Sequence, residues 1–196
     1  MKIKTNIVIL YHSESGHTKK LALAIAQGAK QNNTTVNVFD VANLLDLDWT
    51  TIDAADGIIF GSPTFMGCVS APFKKFMDET GNFWTDQKWS DKLAAGFTIG
   101  SALSGDKLNT LIQLNIFACQ HGMIWVGQNQ LGSLYTNDNQ RINESGSWLG
   151  LMGTSSRDKS ELVHDGDIKT AVFFGERMAK ITSIFKKGKI FQENKL

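Results

Sequence analysis

Asn6-Ile7-Val8-Ile9-Leu10-Tyr11 is a continuous apolar, β-branched run, and it breaks into His12-Ser13-Glu14-Ser15-Gly16-His17-Thr18, a short polar loop with one glycine. The run reads as a strand buried on both faces, the signature of a parallel sheet. Beyond the loop, to about Gln31, Leu21, Ala24, Ile25 and Ala29 recur at helical spacing, and Asn32-Asn33 ends that helix.

The same alternation continues outward. Thr35–Asp40 alternates and predicts a second strand, with a short helical turn over Ala42–Leu47. Asp56–Gly61 predicts a third strand, and Ser62–Val69 a loop. Ser70 is placed to cap a helix carrying Pro72 in its first turn, with Phe73, Phe76 and Met77 as its buried stripe. Leu93–Ile99 is a fourth strand. Leu108, Leu111, Ile112, Ile116 and Cys119 mark another helix, closed by His121-Gly122 in the manner of a glycine C-cap. Met123–Val126 begins a fifth strand. Residues 128–167 are polar and rich in Gly, Ser and Asn, and carry one apolar island, Trp148–Met152, expected to cover an interface, close over a ligand or sit on a satellite core. Asp167 is expected to cap the last helix.

This order implies a single α/β domain over residues 1–196 with a long loop at about 128–167. Its core is a doubly wound, three-layer, five-stranded parallel sheet of order 2-1-3-4-5. Net charge is +1, so no basic excess points to nucleic acid and no acidic excess to disorder. The two cysteines, Cys68 and Cys119, are far apart and lack metal-ligand spacing; two free thiols in a reducing cytoplasm are expected, with no metal. The first apolar run is too short for a signal-peptide core or a membrane span, so no membrane insertion is expected.

Ligands of such sheets sit beyond the carboxyl ends of the strands, where the strand order reverses. Three loops line that crevice. In the first, the hydroxyls of Ser13, Ser15 and Thr18 alternate with backbone N–H groups at a helix N-terminus, with Gly16 allowing close backbone approach. It serves either as a phosphate site or as ordinary N-capping. It has neither the G-x-x-x-x-G-K-[ST] nor the G-x-G-x-x-G pattern, so it is neither a nucleotide-triphosphate loop nor a dinucleotide fingerprint. In the second, Gly61-Ser62-Pro63-Thr64-Phe65-Met66-Gly67, two apolar residues stand in a loop that should face water. They point to a flat aromatic ligand or to packing on the next helix. In the third, Thr98-Ile99-Gly100-Ser101-Ala102-Leu103-Ser104-Gly105, small residues let backbone N–H groups reach a planar ring, or make a plain strand-to-helix turn.

Tyr11–Thr18, Gly61–Thr64, His121-Gly122-Met123 and Phe76-Met77-Asp78-Glu79-Thr80-Gly81-Asn82-Phe83-Trp84 resemble the flavodoxin-like quinone reductases. They are most similar to the tryptophan-repressor-binding-protein group of NAD(P)H:quinone oxidoreductases. The likeness runs from about residue 6 to 127. It implies a flavoprotein that holds flavin mononucleotide (FMN), takes hydride from NADH or NADPH and passes it to a quinone or similar acceptor. The flavin carries the chemistry, so no catalytic side chain is expected.

By the resemblance Ser13, Ser15, Gly16, His17 and Thr18 hold the phosphate. Pro63, Thr64, Phe65, Met66 and Gly67 lie along the ring, and Thr98, Ile99, Gly100, Ser101 and Ser104 contact ring and ribityl chain. His121 approaches the flavin, and Trp84 lines the substrate site, across the interface of a homodimer or homotetramer. The chain departs from the group in having Ser15 where an aromatic is usual, Phe65 where Arg is usual, and Gly100–Asp106 in place of G-T-G-G-G-Q-E. An electron carrier of flavodoxin type without turnover of its own, or a regulatory module, are the rival readings. Carriers are usually strongly acidic, which the net charge of +1 disfavours.

Overall fold

The computed structural model describes residues 3–30, 33–136, 140–156 and 161–193. Strand β1 (Thr5–Tyr11) is an interior strand of the sheet. It pairs in parallel with β2 (Thr34–Asp40) on one side and β3 (Gly57–Phe65) on the other. Next come β5 (Leu93–Gly100), parallel to β3, and β6 (Ile124–Trp125). The path β2-β1-β3-β5-β6 is the expected 2-1-3-4-5 order, renumbered because β3 folds back through a two-residue strand, β4 (Cys68–Val69). Helices α1 (His17–Ala29) and α6 (Asp165–Glu193) cover one face; α3 (Ala71–Glu79) and α5 (Lys107–Gln120) cover the other. The short helices α2 (Trp49–Asp53) and α4 (Gly81–Thr85) and a 3-10 turn, Leu44–Asp46, fill the connections. Helix α1 ends at Ala29; Asn32, expected in its terminator, lies outside the described residues.

Ile7, Val8, Ile9 and Leu10 are fully buried, as a strand covered on both sides must be. Their side chains alternate between two cores. One core packs Ile7 and Ile9 with Leu21, Ile25, Phe174 and Met178. The other packs Val8 and Leu10 with Phe60, Phe73, Phe76, Trp89 and Phe117. On the first face α1 and α6 nearly touch backbone to backbone. A Cβ on Gly28 would stand 1.9 Å from the Val172 carbonyl oxygen, and one on Gly175 would stand 2.0 Å from that of Ile25.

The structure revises four expectations. The loop after the third strand is a hairpin: β3 runs on to Phe65 and turns at Met66-Gly67, both in the left-handed region (φ 50° and 76°), and Phe65 then pairs with Cys68. A two-residue connection with positive φ at both positions matches the strand twist.

The fifth strand is split. After β6 the chain leaves the sheet and returns as β7 (Leu151–Thr154), parallel to Phe97–Gly100 of β5. The apolar island therefore ends in the sheet: Leu151 and Met152 belong to β7 and Leu151 is fully buried, while Trp148, three residues before the strand, is exposed. The excursion is closed at its base, where Gln128 N donates to Trp148 O (2.9 Å) and Trp125 Nε1 to Leu149 O (2.8 Å). Its interior is organised by buried Asn143, which donates to Gln130 O (2.8 Å) and accepts from Ser147 N (3.0 Å).

Helix α5 faces the core differently from the predicted stripe. It buries Thr110, Leu111, Leu114, Phe117 and Ala118, and leaves Leu108, Ile112 and Ile116 at 53%, 39% and 53% exposure. The helix is apolar around most of its circumference, so periodicity alone offers two stripes.

Asp167 does not cap α6. It lies within the first turn, and its Oδ2 accepts from Thr154 N (2.8 Å).

Candidate active site

The three loops that follow β1, β3 and β5 converge beyond the carboxyl ends of those strands. A groove of about 260 Å³ is lined by Ser13, Glu14, Ser15, His17, Thr18, Pro63, Thr64, Phe65, Ile99, Gly100, Ser101 and Ser155. Gly16 forms the first turn with φ 88°, a left-handed conformation that favours glycine.

The N-cap of α1 is Gly16, which has no side chain to offer, and among the described residues no hydroxyl of the first loop is spent on the helix end. The Ser13 hydroxyl is buried and without a hydrogen-bond partner, as is His12 Nδ1 beside it. Buried polar atoms are normally paired, and an anion at a helix N-terminus would supply such a partner. A phosphate group fits this cradle: free backbone donors, a hydroxyl donor and a positive helix pole, with Thr18 buried against the helix start.

Beneath the ring side of the groove the chain is rigid. Thr64 Oγ1 is hydrogen-bonded to Thr98 Oγ1 (2.8 Å) and to Thr110 Oγ1 (2.9 Å), and Thr98 donates to Ser62 O (2.7 Å). Thr98 is thus a fully buried brace for the floor and not a wall of the groove. Ser62 links β3 to the start of α3, its Oγ accepting from Ser70 N (2.9 Å).

The remaining predicted residues fall elsewhere. Met66 is wholly exposed at the hairpin tip. Gly67 turns the hairpin beside it, with its carbonyl accepting from Asn109 Nδ2 (2.7 Å). Ser104 lines a larger neighbouring cleft of about 1000 Å³ between α5 and the excursion, with Leu108, Ile112, Trp148 and Asp167.

His121 and Trp84 are not brought to the groove by their own chain. Helix α5 starts at the carboxyl edge of the sheet and ends at the amino edge, where Gly122 O accepts from Asp91 N just before β5. His121 is buried there between Trp89 (ring centroids 4.6 Å) and Phe117 (4.8 Å), with Nε2 3.0 Å from Thr80 Oγ1. Burial pushes its pKa down from 6.5 to about 4. Trp84 lies at the same edge, on α4, and is exposed. A motif position shows that a residue recurs; it does not show which end of a helix the residue occupies.

Ser155 and Glu14 line the groove and were not singled out from sequence. Ser155 follows β7, and its N–H donates to Gly100 O (3.0 Å). The signal for it was the short apolar run Leu149–Met152, a hidden strand whose carboxyl end had to reach the same crevice. Buried Lys107 was also missed. It opens α5, and Nζ donates to Gly153 O (2.9 Å) and Thr154 Oγ1 (3.0 Å). Burial lowers its pKa, opposed by the field of Asp167; burial raises that of Asp167, opposed by the Thr154 N–H and by Lys107.

A doubly wound parallel sheet with a hydroxyl loop, a strand-end hairpin and a small-residue loop meeting at its topological switch point is the architecture of a flavodoxin-like protein. The family model for NADPH-dependent FMN reductase matches residues 5–137, and the chain belongs to this family. It is similar to flavodoxin FldP of Pseudomonas aeruginosa (37% identical over 177 residues, covering 89% of this chain and 95% of the relative). It is also similar to an NAD(P)H dehydrogenase (quinone) of Archaeoglobus fulgidus (30% over 197 residues, 89% and 96%). Among solved structures it is similar to a flavodoxin, WrbA-like protein from Agrobacterium tumefaciens. That match has a TM-score of 0.72 at 37% identity and covers 91% of this chain and 98% of the other. The protein is therefore an FMN-dependent oxidoreductase of flavodoxin-like fold, as the resemblance of its motifs implied. No helix among the described residues is long and apolar enough to cross a membrane.

Proposed function

We infer that the chain transfers hydride from NADH or NADPH, by way of FMN, to a quinone or similar small acceptor. The observation that carries this reading is the meeting of three loops from separate strands at one groove, with a buried, unpartnered Ser13 hydroxyl on its phosphate side. Bound FMN supplies the hydride-accepting and electron-donating chemistry. Ser13, Ser15, His17 and Thr18 bind the phosphate, together with the free N–H groups around Gly16. Pro63, Thr64 and Phe65 form one wall for the ring, and Ile99, Gly100, Ser101 and Ser155 the other, with small residues admitting the ring edge to backbone donors. The Thr98–Thr64–Thr110 hydroxyl chain keeps these walls at a fixed spacing, so little ordering remains to be done on binding.

Assembly into a homodimer or homotetramer belongs to the same reading. Trp84 is exposed at the far edge and can meet a ring only in another copy, whereas His121 is enclosed and drops out as a ring contact. Two free, exposed thiols suit a reducing compartment, and we place the protein in the cytoplasm.

The test is an absorption spectrum of the purified protein with FMN added, then anaerobic titration with NADH and NADPH, then addition of a quinone. The expected result is flavin bands that bleach with at least one nicotinamide and return with quinone. Bound FMN that neither nicotinamide reduces identifies an electron carrier. A protein that never binds FMN rejects the site.

A further inference from the structure

Lys107 is fully buried next to the groove, yet no role in holding a phosphate falls to it. Its stem lies directly behind Gly100, a lining residue: a Cβ on Gly100 would meet the Lys107 Cγ and Cδ at 3.6 Å. Its ammonium is anchored at the carboxyl end of β7, one residue before Ser155, which also lines the groove. Thr154 joins Lys107 to Asp167, accepting at Oγ1 from the first and donating from its backbone N to the second (2.8 Å). Asp167 and Thr154 both line the larger cleft. The two charges thus meet at Thr154, the lysine reaching it on a stem that passes behind Gly100.

Fold stability alone does not account for this arrangement. Removing a charge from water costs several kcal/mol, and an apolar side chain of similar volume usually serves a core position at least as well. Position 107 supplies a charge where packing needs none. Reduction of a flavin at neutral pH adds negative charge to its ring, and protein charges near the ring tune that step.

We propose that Lys107, with Asp167 as its counter-charge, is a positioning residue that sets the reduction potential of the FMN site by holding a desolvated positive charge at the carboxyl end of β7, beside the groove. The inference rests on FMN occupying the groove. A unit charge within about 10 Å, at an effective dielectric of about 20, moves an equilibrium on the order of tenfold. For a two-electron couple tenfold is about 30 mV.

The experiment is a spectroelectrochemical titration of the FMN-loaded full chain, its Lys107→Met and Asp167→Asn variants, with FMN dissociation constants and thermal melts measured alongside. Lys107→Met is expected to lower the midpoint by about 30 mV and Asp167→Asn, which keeps an oxygen for Thr154 N, to raise it. Opposite signs are the signature of charge, because a merely structural role moves both variants the same way or neither. FMN bound with no shift, or with shifts of one sign, overturns the proposal. Should Lys107→Met not fold, Asp167→Asn decides alone: an upward shift supports it, and no shift or a downward one overturns it. Wild-type protein that does not bind FMN rejects the site reading instead.

Discussion

Lowering the pH from 7.5 to 4.5 sets His121 against its surroundings. In the folded chain its ring is enclosed by Trp89 and Phe117, Nδ1 is buried without a partner, and its pKa is held near 4. In the unfolded chain the same ring titrates near 6.5. The unfolded state therefore binds more protons between those values. The stabilisation is complete above about pH 6.5 and is lost as pH falls toward about 4. At 1.36 kcal/mol per pKa unit the full loss is about 3 kcal/mol, of which about 2.5 kcal/mol has gone by pH 4.5. A protonated ring facing Trp89 recovers at most about 1–2 kcal/mol through cation–π attraction. The net loss assigned to His121 thus lies between about 0.5 and 2.5 kcal/mol. Urea unfolding at a series of pH values, on wild type and on His121→Gln, isolates it, since the carboxylates titrate alike in both. The stability difference between the two proteins should shrink or reverse by that amount between pH 7.5 and 4.5. Parallel curves over the whole range would show that the ring titrates alike in the folded and unfolded chain, and the depressed pKa of the enclosed histidine would be refuted.

Ser13→Ala should weaken FMN binding roughly 10- to 100-fold, the worth of one hydrogen bond to a charged acceptor of about 1.5–3 kcal/mol, and leave riboflavin binding unchanged. Flavin fluorescence quenching reads both. Gly28→Ala and Gly175→Ala should each destabilise by about 1–3 kcal/mol or more, because the new methyl meets a backbone carbonyl that cannot swing aside; urea midpoints followed by far-UV circular dichroism check this. Leu151→Ala should cost about 2–5 kcal/mol as a core strand residue, while Ile116→Ala on the exposed face of α5 should stay within about 0.5 kcal/mol. Equal effects at the two positions would contradict the burial assigned to β7 and α5.

Most of the fold was legible in the chain because its signals are local. Asn6–Tyr11 carries the mark of a two-sided strand whatever surrounds it, and alternating strands and helices leave few topologies once right-handed crossovers are required. That reasoning reached the strand order and, with it, the crevice where the three loops meet. The first loop was legible as a hydroxyl- and glycine-bearing helix start, and the structure places it at that crevice. What local pattern could not resolve was which side of an apolar helix faces inward. In α5 the sheet chose Leu111, Leu114 and Phe117 over Ile112 and Ile116, because those side chains meet Phe60, Phe76 and Trp89. Nor could it find a strand interrupted by an excursion, since β7 pairs with β5 only after the chain has left the sheet and returned.

By itself, the sequence determined the parallel α/β architecture and the position of the hydroxyl-bearing loop after β1, because hydrophobic period and helix-end chemistry act over a few neighbouring residues. Only the tertiary structure decided that His121 lies at the amino edge, that Ser155 joins the groove and that Lys107 is buried behind Gly100. Each of those facts depends on contacts between residues tens of positions apart, which packing creates and no local pattern records.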